Sequence, residues 1–133
     1  VRRVDLPALP TLLPAASSEA AYGLSRVDDH GRLRDAKVFA EMGWTPGTAI
    51  ALTLTTEGHL LLAQAAEAPA GSAVVVALDS KGRLSIPLAL REALFATAGS
   101  PVLLRADIDG GTATVYSQSA LDRVLGVPSA AAA

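Results

Sequence analysis

The chain repeats itself once, and the repeat constrains the fold more than any other feature. Asp28, Gly31, Arg32, Leu33 and Glu41 recur as Asp79, Gly82, Arg83, Leu84 and Glu92, each 51 positions later (82 − 31 for the glycines). Gly47 and Leu52 recur as Gly99 and Leu104 at an offset of 52, so one residue is gained or lost between the two sets. Two copies are too few for a solenoid, in which each unit buries its apolar face on its neighbours and at least three are needed. Each copy is roughly 45 residues, near the ~40-residue limit below which a chain buries too little apolar surface to fold alone. The expectation is one pseudo-two-fold domain whose halves share a core.

Local patterns supply the elements. Val74 to Leu78 is a continuous apolar run bounded by turn residues, read as a buried strand. Asp79-Ser-Lys-Gly82 is a turn, with Gly82 free to take a positive φ. Arg83 to Ile86 forms a short second strand. Pro87 suits the first position of a helix running to about Phe95, with Leu90 and Leu94 on one face. The first half follows the same order. There Asp35 takes the place of Ile86 and caps a helix over Ala36 to Met42. Ile50, Leu52 and Leu54 alternate with Ala51, Thr53 and Thr55 as a half-buried strand. A turn at Glu57-Gly58 then leads to a strand over Leu60 to Ala63. Val102 to Ala106, a Gly110-Gly111 turn and Ala113 to Ser117 repeat that hairpin, and Ser119 to Leu125 forms a terminal helix. The organisation is therefore an extended Pro/Ala-rich arm over 1–20, a first repeat over 21–64, a linker over 65–73, a second repeat over 74–126 and a tail over 127–133.

Composition bounds the function classes. Half of the 133 residues are apolar, which excludes a disordered chain, and the net charge is −2, so any basic surface has to be local. No cysteine is present, which excludes disulfides and thiolate metal sites. Val1-Arg-Arg-Val opens like a signal peptide, but Asp5, Pro7, Pro10 and Pro14 interrupt the apolar run that follows. No apolar stretch reaches the ~20 residues of a membrane helix, so the expectation is a cytoplasmic chain with no membrane partner. Asp28-Asp29-His30 reads as a solvated turn, since three consecutive residues rarely converge on one ion. Gly110-Gly111 lacks the phosphate-loop spacing, and no Gly-x-Ser-x-Gly elbow accompanies the serines. Neither an enzyme nor a cofactor is indicated. Trp44 and Phe95 are expected to cap the core beside the helix ends.

The run Leu78-Asp-Ser-Lys-Gly-Arg-Leu-Ser-Ile-Pro-Leu-Ala-Leu-Arg-Glu-Ala-Leu94 resembles the AbrB/MazE/SpoVT family of swapped-hairpin DNA-binding domains, over roughly residues 74–117. Residues 24–63 are similar to a divergent copy that keeps Val27-Asp28 and Gly31-Arg32 but has no Ile-Pro. Position 91 then falls on Ala40, so the second half is expected to be the stronger DNA-binding half. The resemblance implies an α+β, mostly β fold, in which two tandem repeats, each with a short helix, interlock as a swapped-hairpin barrel. It implies a transcriptional regulator that binds duplex DNA through Arg83, Arg91 and Lys81 in the second half. In the first half the corresponding residues are Arg32 and Arg26, with Arg34 and Lys37 as local additions. Arginine suits the task because its planar fork grips phosphate or a guanine edge with two hydrogen bonds. Against this, Arg26 could pair with Asp28 or Asp29, and part of the retention of Arg32 and Arg83 could be structural. Homo-oligomers would gather more positive charge on a mildly acidic chain. The same resemblance admits an antitoxin whose N-terminal arm wraps a toxin protein. A barrel serving only as an oligomer or small-ligand module is the third expectation.

Overall fold

The computed structural model describes residues 20–67 and 74–126. Nearly all of the expected N-terminal arm, most of the linker and the tail lie outside those residues. The order of elements is β1 (Ala20–Arg26), β2 (Arg32–Leu33), α1 (Ala36–Glu41), β3 (Ala49–Leu54), β4 (Leu60–Gln64), a single 3-10 turn (Ala65–Glu67), β5 (Val74–Ala77), β6 (Leu84–Ser85), α2 (Leu88–Leu94), β7 (Pro101–Asp107), β8 (Thr112–Ser117) and α3 (Gln118–Leu125). The class is α+β and mostly strand.

The two halves exchange their first strands. The larger sheet has six antiparallel strands in the order β1-β7-β8-β4-β3-β5, and β2 and β6 form a separate pair. β1 runs along β7 of the other half, from Ala20 opposite Asp107 to Arg26 opposite Pro101. β5 runs along β3, with Ala77 opposite Ala49. Neither first strand pairs with the hairpin of its own half. The registers are images of each other: Arg26 to Ala77 is 51 positions and Ala49 to Pro101 is 52. The hydrogen bonds that follow match in the same way. Val27 N donates to Ser100 O at 3.0 Å, and Leu78 N donates to Thr48 O at 2.9 Å.

The pseudo-dyad passes between Leu33 and Leu84, which face each other in the β2–β6 ladder and are both fully buried. One hydrophobic cluster draws on both halves, with Val27, Val38, Ile50 and Leu62 from the first and Leu78, Leu94, Leu104 and Val115 from the second. Burying a side chain of that size stabilises the fold by roughly 1.5–3 kcal/mol. Neither half keeps this core without the other.

Three sequence-based expectations are corrected. β5 is not a buried strand: it pairs only with β3, and this edge position leaves Val74 and Val75 41% and 56% exposed. Phe95 does not cap the core. It is 74% exposed at φ 58, the left-handed position that ends α2, while Trp44 is buried against Phe39 with ring centroids 5.7 Å apart. The extra residue of the second half precedes the helix. Asp35 caps α1, its carboxylate accepting from Val38 N, and its counterpart at the cap of α2 is Pro87, 52 positions on. Phe39 N donates to Asp35 O as Arg91 N donates to Pro87 O. Asp35 therefore corresponds to Pro87 and not Ile86, and Arg91 to Phe39 and not Ala40.

Candidate nucleic-acid interface

Each Asp-x-x-Gly-Arg turn is closed by its own aspartate. Asp28 Oδ1 accepts from His30 N and Arg32 N, both at 2.8 Å, and Oδ2 accepts from Arg32 Nε at 2.8 Å. Asp79 does the same for Lys81 N and Arg83 N at 2.9 Å and for Arg83 Nε at 2.7 Å. Gly31 and Gly82 both sit at φ 76, where any side chain is strained. The Arg83 backbone N–H does most to hold the Asp79 carboxyl down, to about 2 from an ordinary 3.8; partial desolvation opposes it and the Arg83 side chain adds to it. Asp28 is lowered likewise, first by the Arg32 backbone N–H. The repeated arginines are thus structural before they are anything else. Each gives Nε to the turn; one terminal nitrogen of Arg32 also lies 3.3 Å from His30 Nδ1.

Each turn packs against the helix of the other half, so the two candidate faces are composite. On one, the turn of the second half meets α1. Arg34, Lys81 and Arg83 line a cavity of about 660 Å³ there, together with Phe39, Ala40, Trp44 and Gly82. Arg34 Nε donates to Lys81 O at 3.1 Å and ties the two halves together at the rim. No carboxylate lines this cavity among the described residues. On the other face, the turn of the first half meets α2. The Arg91 guanidinium lies against Gly31, where a Cβ would collide with it, and its Nε donates to Ile86 O at 2.8 Å. A smaller cavity of about 420 Å³ beside it includes Glu92 as well as Arg91.

Three of the seven expected cations, Arg34, Lys81 and Arg83, therefore come together. Arg83 and Arg91, both expected to make the second half the stronger reader, stand on different faces. Arg32 lies in the other turn, with His30 Nδ1 3.3 Å from its Nη2. Arg26 pairs with neither Asp28 nor Asp29; its Nη1 donates to Gly99 O at 2.7 Å, at the end of β1. Lys37 is spent on Glu41 one turn along α1, at 3.3 Å.

The first cavity escaped sequence reasoning, which placed Trp44 at the core and did not single out Phe39; both are buried and border the cavity. The aspartate lock was missed as well, since Asp28 was offered to Arg26; its signal is that Asp28 and Asp79 precede Arg32 and Arg83 by four residues in both copies. Comparison with protein-family models gives no match, and comparison with curated proteins gives none.

Proposed function

We propose that this chain is a duplex-DNA-binding transcriptional regulator of the AbrB type, its two repeats interlocked as a swapped-hairpin barrel. The reciprocal pairing of β1 with β7 and β5 with β3 supports the interlocked arrangement. The observation that carries the DNA reading is the Arg34–Lys81–Arg83 cluster at the junction of α1 and the second turn, lined by no carboxylate. Lys81 and Arg34 reach backbone phosphates, and such contacts set affinity and register. Arg83, its guanidinium oriented by Asp79, presents its terminal nitrogens already ordered, which lowers the entropic cost of binding. Base-edge contacts and duplex shape supply the sequence preference.

The test is binding of the full chain to a pool of genomic duplex fragments at low salt. The double variant Arg34→Ala/Lys81→Ala keeps its thermal unfolding transition and loses most of its affinity. Affinity unchanged in that variant contradicts the assignment.

A further inference from the structure

The cavity between α1 and the second turn differs from its pseudo-symmetric counterpart in what fills it. Against Gly31 stands the Arg91 guanidinium; at Gly82 no heavy atom lies within 4 Å of where a Cβ would stand. The cause is the exchange of Arg91 for Phe39 at the matching helix position. Phe39 turns into the core and packs on Trp44, which leaves open the space that a guanidinium takes on the other face. What remains is an open concavity of about 660 Å³ lined by Ala36, Ala40 and Pro46 and by three cations, bordered by the buried Phe39 and Trp44. A pocket of a few hundred Å³, apolar in its body with a few convergent polar groups, has the form of a small-molecule site.

We infer that this cavity binds a small organic anion, a phosphate or carboxylate carried on a flat apolar body. The anionic group meets Lys81 and the terminal nitrogens of Arg34 and Arg83. Charge-assisted hydrogen bonds of this kind are about twice as strong as neutral ones. The apolar body lies along the exposed Ala36, Ala40 and Pro46, where it loses contact with water. The cation cluster selects this class: the counterpart cavity has exposed Leu88 and Phe95 but only Arg91 beside Glu92, and does not offer it. The inference uses the same three cations as the nucleic-acid reading but depends on no duplex.

Trp44 is the one tryptophan of the chain and lines the cavity, so its emission reports occupancy directly. The full chain is titrated with phenyl phosphate, inorganic phosphate and benzyl alcohol, with calorimetry run in parallel. Phenyl phosphate binds saturably, at least about ten-fold tighter than inorganic phosphate, and benzyl alcohol does not saturate. Ala40→Glu, at an exposed position, places a carboxylate among the cations and weakens phenyl phosphate by about ten-fold or more. Lys81→Ala on the exposed turn weakens it in the same direction and serves if Ala40→Glu does not fold. No saturable signal by either readout overturns the inference. So does inorganic phosphate binding as tightly as phenyl phosphate, or a folded variant that binds as well as the parent chain. None of these readouts uses DNA, so a failure of the duplex experiment leaves the inference standing.

Discussion

The two turn–helix faces share a backbone and differ in charge and filling. Both turns have the same aspartate lock and the same positive-φ glycine, and both rest on a helix that starts at equivalent caps. Around that common frame, Ser80 and Lys81 of one turn stand where the other has Asp29 and His30. Phe39 on one helix stands where the other has Arg91, and Ala40 where the other has Glu92. One face gathers three cations around an open cavity. The other turns its helical arginine inward over Gly31 and keeps carboxylates close by. The repeat preserves what the fold needs, namely the lock, the helix starts and the exchanged strands, although Asp35 caps its helix through a side chain and Pro87 does not. It leaves free the positions that decide what a face can bind.

The strongest way to break the equivalence of the frames is to cut the core on one side of the dyad. Leu33→Ala and Leu84→Ala are each expected to cost roughly 2–5 kcal/mol and to unfold the chain in one transition. Denaturant melts that separate into two transitions, or that spare one half, contradict the shared core. A smaller effect separates the faces. Gly82→Ala is expected to cost about 1–2 kcal/mol for the left-handed backbone alone. Gly31→Ala costs more, because the Arg91 guanidinium has to move. In an Arg91→Ala background the Gly31 cost falls to that of Gly82, and a double-mutant cycle measures the difference. Equal costs in the parent chain contradict the packing of Arg91 on that turn.

The helix ends give a smaller contrast. Gly43 ends α1 at φ 78, and Phe95 occupies the matching position of α2 at φ 58 while 74% exposed. Phe95→Gly is expected to raise stability by about 0.5–1 kcal/mol by relieving the left-handed conformation, read as a higher melting temperature. The smallest effect is the aspartate lock in acid. Because the Asp79 carboxyl is lowered from 3.8 to about 2, its contribution is complete above about pH 4 and is lost as the pH falls through about 2. A side-chain carboxyl titration by NMR with its midpoint near 2 supports the lock, and one near 3.8 contradicts it.

The frame was largely legible in the sequence. The 51-residue offset located both turns and Asp35 announced its helix; alternation located β3, but Ala51 is buried and Leu54 exposed, so β3 is not the half-buried strand that alternation predicted. The exchange of first strands could not be read from periodicity, because pairing partners leave no trace in a strand's own pattern. The offset itself misled across the helix. Glu41 and Glu92 match at 51, but the extra residue enters where Ser85 and Ile86 replace Arg34, so that match has no structural counterpart. Gly43 and Phe95, the true partners, share a backbone conformation that a phenylalanine conceals. In β1, Gly23 leaves room for the Asp35 side chain, which occupies the space a Cβ would need. The three valines of β5 look like a buried strand, because an apolar run carries no sign of whether a second neighbour covers it. Of the candidate site, the cations were legible and their grouping was not. Grouping depends on which turn meets which helix, and the halves cross over.

The salt dependence of duplex binding tests the central claim most directly. The slope of log affinity against log salt is measured for the full chain, for Arg34→Ala/Lys81→Ala and for Arg91→Ala. Each lost phosphate contact lowers the slope by about 0.9, so the double variant is expected to lose about 1.8 while Arg91→Ala keeps the parent slope. A double variant with the parent slope, or a larger loss at Arg91 than at the Arg34–Lys81 pair, contradicts the assignment of the open, cationic face as the one that meets DNA.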